Sequence, residues 1–349
     1  MKQQMLFEDK YRILGTKNTE YDGIFVTAVK TTGIFCRPSC RARIPKAENV
    51  TFYDTAQEAL ENGFRPCKIC KPMQMIGNTP AYIEGIIAEL QKYPHEKISD
   101  SDLKRKGHEP HTIRRWFKKN YGVTFHQFQR MVRINYAFTH IKKGESVTFS
   151  AFESGYDSLS GFNESYRSIF GDSASKSKHR MVVNTLRFSS PIGSLIACAS
   201  ETGICFLGFV GQEKLEENVA AIQKELAAVM IPGLNPHLNQ VRKEVGEYFK
   251  GSRTRFSVPL HMIGTDFRKQ VWNELLNIPY GKTCSYSEQA VAMNHGKAVR
   301  AVASANAMNK ISIIIPCHRV IGSRGELSGY AGGLPKKQWL LDLEKGNLR

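Results

Sequence analysis

The stretch IIIPCHRVIG, residues 313–322, sets a cysteine between a proline and a histidine–arginine pair, directly after three isoleucines. A cysteine that follows a buried, strand-like run is ordinarily a small core residue. On the dipeptide alone that reading is favoured, with His318 as a structural histidine. Yet His318 and Arg319 are groups that a core must either satisfy or expel. A reactive cysteine would account for them. A free thiol has a pKa of about 8.5, and an adjacent base oriented by a third group supplies the thiolate. His318 is next in sequence to Cys317, with contact either direct or through a water. Downstream, LPKKQWLLDLEKGNLR (334–349) offers Asp342 and Glu344 as orienting carboxylates. Cys198, Cys205 and Cys284 have no such partners and read as packing residues.

Working outward, 349 residues are too many for one ordinary domain, and two or three are expected. Cysteine usage divides the chain. Cys36, Cys40, Cys67 and Cys70 stand near the start, none occurs from 71 to 197, and the rest follow from Cys198 onward. KPMQMIGNTP (71–80) and GDSASKSKHR (171–180) read as linkers. Between them the pattern is helical. HTIRRWFKKNYG and FHQFQRMVRINYAFTHIKKG each end at a glycine stop, and VTFSAFESGYDSLSGFNESYRSIFG reads as helix, glycine turn, helix. The last segment opens with strand-like LRFSSPIGSLIACASETGICFLGFV and continues with helical KLEENVAAIQKELAAVM and VRKEVGEYFKG.

No run of eighteen apolar residues occurs, so no membrane-spanning helix is expected. MKQQMLFEDKYRILG has no apolar core of a signal peptide, which predicts an intracellular protein. Lys and Arg number 49 against 32 Asp and Glu, a formal charge of +17. That excess favours a polyanionic partner, nucleic acid before lipid headgroups.

The first four cysteines are spaced C-x3-C, then 26 residues, then C-x2-C. Each short loop brings a pair to one side of a metal, so four thiolates can close on one tetrahedral Zn2+. Iron–sulfur ligation lacks its closely spaced cysteine run. Arg37, Arg43 and Lys46 lie around the cysteines and suit phosphate contacts. In HTIRRWFKKN (111–120) helical spacing turns Ile113, Trp116 and Phe117 inward and Arg114, Arg115, Lys118 and Lys119 outward, the build of a DNA-recognition helix.

TTGIFCRPSCRARIPKAENVTFYDTAQEALENGFRPCKICKP (31–72) resembles the zinc-binding domain of the Ada family. The resemblance makes Cys36 both a zinc ligand and a methyl acceptor beside Cys40, Cys67 and Cys70. The paired helix-turn-helix pattern resembles AraC-type activators. IPYGKTCSYSEQAVAMNHGKAVRAVASANAMNKISIIIPCHRVIGSRGELSGYAGGLPKKQWLLDLE (278–344) is similar to the O6-alkylguanine-DNA alkyltransferases. By that likeness Cys317 accepts methyl, His318 is its base through a water, and Glu344 orients His318. Asn309 would brace the turn, Tyr286 would rotate the target phosphate, and Arg300 would fill the stack after base flipping. Val320 and Gly329 to Gly333 would shape the pocket.

Together these resemblances imply a multidomain α+β chain. Residues 1–77 would be a small zinc-binding α/β domain and 78–178 an all-α double helix-turn-helix domain. Residues 179–262 would be an RNase H-like α/β subdomain, and 263–349 a winged-helix-like catalytic subdomain. The implied function is single-turnover repair of O6-methylguanine and O4-methylthymine at Cys317 and of methylphosphotriesters at Cys36. Methylated Cys36 would turn the protein into a transcriptional activator. Alkylated and promoter double-stranded DNA, one Zn2+ and RNA polymerase are the expected partners. A monomer in the bacterial cytoplasm, associated with the nucleoid, is expected. Two rivals stay open: a zinc-dependent regulator with a lesion-sensing C-terminal domain, and a cysteine hydrolase with a Cys-His-Glu triad.

Overall fold

The computed structural model of the chain describes residues 5–18, 21–22, 24–70, 72, 79–177, 180–233 and 235–346. Most of the first expected linker, and residues 178–179 of the second, lie outside them. No helix among the described residues is long and apolar enough to cross a membrane.

The chain opens with α1 (Phe7–Thr16), β1 (Val26–Val29), β2 (Ile34–Cys36), β3 (Val50–Tyr53), α2 (Ala56–Glu61) and β4 (Arg65–Pro66). The strands lie in the order β3-β1-β2-β4, antiparallel except for β2 beside β4. Thr55 caps α2, its hydroxyl accepting from the Glu58 amide. Two small buried clusters hold this unit, Val26, Ala28, Phe35 and Ala59 in one and Ile13, Leu14 and Phe25 in the other. Such clusters are small for an independent unit, and a metal is a natural supplement.

The middle is helical: α3 (Ala81–Lys92), α4 (Asp100–Arg105), α5 (Pro110–Tyr121), α6 (Phe125–Lys142), α7 (Val147–Glu153) and α8 (Leu159–Phe170). Reciprocal caps start α4 (Ser99 with Asp102) and α6 (Thr124 with Gln127). The first half of α6 joins α3–α5 in one core, and its second half joins α7 and α8 in another. Between α7 and α8, Gly155 has φ +73°, and a Cβ there would lie 2.1 Å from the His95 carbonyl oxygen. Only glycine turns the chain so close to the first unit.

Beyond these come β5 (Val182–Phe188), β6 (Leu195–Ala199), β7 (Ile204–Phe209), α9 (Leu215–Glu225), β8 (Val229–Pro232) and α10 (Pro236–Phe249). The sheet order is β7-β6-β5-β8, with β5 and β8 parallel. The helix expected over KLEENVAAIQKELAAVM stops short. Ala227 takes a left-handed φ of +46°, and Val229 and Met230 pair with β5 instead. The apolar run there gains more as a sheet edge than as a continued helix. GDSASKSKHR is also less free than expected, since Ala174 and Ser177 are each 1% exposed. Val182 and Ile231 enter the core of the second helix-turn-helix unit, and Asn184 Nδ2 donates to Asn135 Oδ1 at 3.0 Å. The middle segment is therefore docked on this sheet.

The chain closes with α11 (Asp266–Leu276), β9 (Cys284–Ser285), α12 (Tyr286–Ala292), α13 (Val299–Ala307), β10 (Val320–Ile321) and α14 (Leu334–Glu344). Helices α11, α12 and α13 pack on one another, and β9 pairs with β10 in parallel. One core runs from Leu186 and Leu207 through Trp272 and Val302 to Ile315, Cys317 and Leu340.

Candidate active site and metal centre

The isoleucine run is a buried turn rather than the strand its composition suggests. Ile311 makes a single bridge to Leu207 of β7, and Ile313 then turns at φ +72°. A β-branched residue rarely takes that conformation, and surrounding packing must hold it. Asn309 supplies part of the hold. Its Nδ2 donates to the Ile315 carbonyl at 2.8 Å and to Cys317 Sγ at 3.2 Å, while its Oδ1 accepts from the Ile311 amide at 2.9 Å. One amide thus closes the turn and touches the thiol.

Cys317 is 9% exposed and opens a 3-10 turn with His318 and Arg319. Burial pushes its thiol pKa up, opposed by the Asn309 hydrogen bond and the nearby Lys337 charge. His318 is fully buried, its Nε2 2.8 Å from Glu344 Oε1. Its Nδ1 has no hydrogen-bond partner among the described residues, so that nitrogen remains to take a proton. Burial lowers the His318 pKa, which keeps the imidazole neutral and able to accept.

Glu344 accepts from more than His318. Arg319 reaches it through Nε at 2.9 Å and Nη2 at 3.0 Å, Tyr248 through its hydroxyl at 2.8 Å, and the Gly281 amide at 3.1 Å. Burial raises its pKa, but the hydrogen bonds from His318 and Arg319 win and hold it at about 2. The other candidate, Asp342, lies on the same helix but bonds to Gln338.

Arg319, Tyr248 and Lys337 join the site without having been assigned a part in it. Arg319 stood in the quoted stretch as a group needing satisfaction, and Glu344 with the Ile278 carbonyl at 2.6 Å provides that. Tyr248 lies 96 residues from Glu344, with no local signal to find it by. Lys337 is fully buried, donating to the Val320 carbonyl at 2.6 Å and the Ser328 carbonyl at 2.7 Å. Burial lowers its pKa to about 8, against the pull of Cys317. Nearby, Ser328 Oγ donates to the Tyr286 hydroxyl at 3.3 Å. A Cβ at Gly332 would press within 2.7 Å of the Phe209 ring, so the 329–333 loop is close-packed at that residue, whereas Gly329 and Ala331 are exposed. Arg300 is exposed on α13.

The four N-terminal cysteines also converge. Cys36 ends β2, the Cys67 amide donates to the Phe35 carbonyl at 2.9 Å, and all four sulfurs lie within 4.8 Å of one another. A tetrahedral Zn2+ with Zn–S bonds of about 2.3 Å sets its sulfurs about 3.8 Å apart, so the cluster fits that ion. Cys40 and Cys67 are buried, whereas Cys36 and Cys70 are partly exposed. The Arg37 amide donates to Cys70 Sγ at 3.4 Å. Asp22 takes both the amide and the hydroxyl of Ser39, which fixes the Cys36–Cys40 loop. Of the three expected phosphate grips, Arg37 is only 8% exposed, whereas Arg43 and Lys46 face solvent. On α5, Ile113 and Phe117 are buried, Trp116 is partly so, and Arg114, Arg115, Lys118 and Lys119 are exposed.

Four family models match along the chain. They are the metal binding domain of Ada over 9–73, a helix-turn-helix domain over 104–180, and the ribonuclease-like and DNA binding domains of 6-O-methylguanine DNA methyltransferase over 184–262 and 266–346. The chain is 35% identical to the bifunctional transcriptional activator/DNA repair enzyme Ada of Escherichia coli, over 97% of each sequence. It is 42% identical to a methylated-DNA–protein-cysteine methyltransferase of Methanosarcina barkeri, over 46% of this chain and 96% of that one. A crystal structure of Mycobacterium tuberculosis OGT in complex with DNA aligns with 47% of this chain and 94% of that one, at 38% identity and a TM-score of 0.41.

Proposed function

The chain belongs to the Ada family of bifunctional transcriptional activators and DNA-repair enzymes, and from that premise we propose how its residues divide the work. The protein repairs methylated DNA by taking methyl groups onto its own cysteines, has a regulatory role, and binds double-stranded DNA. In our reading Cys317 takes the methyl of O6-methylguanine or O4-methylthymine, and Cys36 that of a methylphosphotriester. The observation that carries the first assignment is the buried Glu344–His318 pair beside a thiol braced by Asn309.

The geometry supports the following sequence. Tyr286 turns the target phosphate and Arg300 fills the stack, because an O6-methyl inside the duplex cannot be reached in line by an enclosed sulfur. His318 takes the Cys317 proton at Nδ1 through a water, while Glu344 holds Nε2 and stabilises the imidazolium that forms. The thiolate attacks the methyl carbon, the new S–C bond forms as the C–O bond breaks, and the proton ends on the released guanine. A thioether is a poor leaving group, so Cys317 acts once.

At the metal centre Cys36, Cys40, Cys67 and Cys70 hold Zn2+, whose charge keeps the thiolates ionised at neutral pH. The Arg37 amide draws charge from Cys70, which favours Cys36 as the more nucleophilic of the two accessible sulfurs. Four thiolates on Zn2+ leave a net charge of about −2, and methylation of one leaves about −1. That loss weakens repulsion of ordinary phosphates and favours promoter binding, with RNA polymerase as the next partner. The chain would act as a monomer on the nucleoid, in the bacterial cytoplasm.

The test is stoichiometry. Full-length, zinc-loaded protein mixed with excess duplex carrying O6-methylguanine should restore one guanine per chain and then stop. Continued turnover would favour the hydrolase, and no restored guanine would favour the lesion-sensing regulator.

A further inference from the structure

The two helix-turn-helix units share a fold and differ in charge. Residues 97–122 carry eight lysines and arginines against three acids, while residues 145–170 carry one arginine against four acids. The contrast sharpens on the helices that would read DNA. On α5 the exposed side chains are His111, Thr112, Arg114, Arg115, Lys118 and Lys119. On α8 they are Leu159, Ser160, Glu164, Arg167 and Ser168, with Asn163 partly exposed beside them. Its single cation lies one turn from Glu164, close enough to be offset by it.

The preceding helix is no more suited to DNA. On α7, Phe149 and Phe152 are 51% and 52% exposed, and Glu153 is exposed beside them. Duplex DNA carries one negative charge per about 1.7 Å of axis. Pressing Glu164, Glu153 and two phenylalanines toward that field desolvates acids without returning a contact.

The second unit also has another task. Its core includes Val182 and Ile231 of the ribonuclease-like sheet, and Asn135 of α6 bonds to Asn184 within the same seam. It fastens the helical segment to the methyltransferase sheet whether or not it touches DNA.

From this asymmetry we infer that α5 enters the major groove and carries the base contacts, while α8 stays out of the groove. The inference rests on the proposal that the chain is a DNA-bound regulator, and it names which half of the paired fold does the reading. Within α5, Arg114 is tied to Asp100 at 2.7 Å, whereas Arg115 bonds to the His111 ring at 2.7 Å. Arg115 is thus the arginine left to meet a guanine edge, and Lys118 and Lys119 meet phosphates. The specific footprint is then one helix wide in the major groove, not the two successive turns that paired reading would cover.

The test uses full-length, zinc-loaded protein methylated at Cys36 by reaction with methylphosphotriester DNA. Binding sites are selected from a random-sequence duplex pool. Arg115→Ala, Lys118→Ala, Asn163→Ala, Arg167→Ala and Glu164→Gln are then titrated on the selected duplex and on an unselected one. Arg115→Ala should lose about tenfold or more on the selected duplex and relax the preference at one base position. Lys118→Ala should weaken both duplexes and reduce the salt slope by about one. Asn163→Ala and Arg167→Ala should change affinity by less than about threefold, and Glu164→Gln should leave it equal or tighter. A loss at Asn163 or Arg167 equal to that at Arg115, with a second set of bases relaxed, overturns the inference. If no sequence is selected, the regulator reading fails separately. The unselected duplex still decides which helix meets DNA, and equal losses from α5 and α8 there would again overturn it.

Discussion

Cys36 stands partly exposed at the end of a short strand, among three other cysteines. Cys317 lies 9% exposed under a turn of isoleucines, with Asn309, His318 and Lys337 around it. In the proposed assignment both must become thiolates at neutral pH, and their surroundings would achieve this in unlike ways. At Cys36 the counter-charge would be the metal, so the unit that carries it should fold around its own cofactor. At Cys317 the counter-charge would be the imidazolium that His318 becomes, held by the Glu344 carboxylate inside a large shared core. On this reading reactivity and folding are coupled at the first site and separable at the second.

Zinc removal should break the comparison most visibly. Structural Zn2+ contributes about 10 kcal/mol or more to small four-ligand domains, and the N-terminal unit has only two small buried clusters of its own. Chelation should therefore erase the sheet signal of residues 5–70 in hydrogen exchange while leaving O6-methylguanine repair intact. A metal-free N-terminal unit that stays protected would show that the two cysteines do not differ in this way.

Next in size is Cys317→Ser. A serine hydroxyl is far less acidic than a thiol, so single-turnover repair of O6-methylguanine should fall by at least about a thousandfold while duplex binding persists. Phosphotriester repair at Cys36 should be unchanged. A normal rate in this variant would remove Cys317 from the reaction.

Glu344→Gln sharpens the second half of the comparison. The rate should fall by roughly a hundredfold, because the base loses its orienting carboxylate. Stability should drop by about 3 kcal/mol, because Arg319 is left as a buried, unpaired charge. Arg319→Met keeps the His318–Glu344 pair and should cost stability more than rate. Acid titration supplies an independent check. The Glu344 pKa falls from 4.5 to about 2 on folding, so its stabilisation is full above 4.5 and is lost as pH falls toward 2. His318, whose pKa is lowered from 6.5, adds a loss of the same sign below that pH. Wild-type melting temperature should fall across the acid window, and the Glu344→Gln curve should be flatter between 4.5 and 2.

The two sites also differed in how far they could be read from sequence. The metal centre was legible because its ligands lie in two short loops, Cys36–Cys40 and Cys67–Cys70, whose spacing alone implies convergence. The active site was legible only in part. Cys317, His318 and Asn309 are close in sequence, but Tyr248 and the Gly281 amide reach Glu344 through tertiary packing that no local pattern records. Lys337 sits between Lys336 and Gln338 in a short polar run, where a lysine reads as solvated; burial against two carbonyls is a property of the folded loop. The isoleucine run misled for a similar reason. Its composition favours a strand, and the contacts of Asn309 impose a turn. In the fold, the short strand after α9 was absorbed into a helix because the left-handed Ala227 leaves no mark in sequence.

The smallest expected effect concerns DNA affinity. Methylating Cys36 should tighten promoter binding by about tenfold at low salt, the worth of one unit charge near a phosphate at surface-like dielectric. The gain should shrink as salt rises. Equal affinities at low salt would remove the electrostatic switch.

The central claim, two cysteines made reactive by different means, is tested most directly by mapping methyl groups by mass spectrometry. Zinc-loaded and zinc-stripped full-length protein are each exposed to duplexes carrying O6-methylguanine and methylphosphotriesters. The account predicts methyl on Cys36 and Cys317 with zinc, and on Cys317 alone without it. Methyl on Cys40, Cys67 or Cys70, or loss of methyl from Cys317 when zinc is removed, would contradict it.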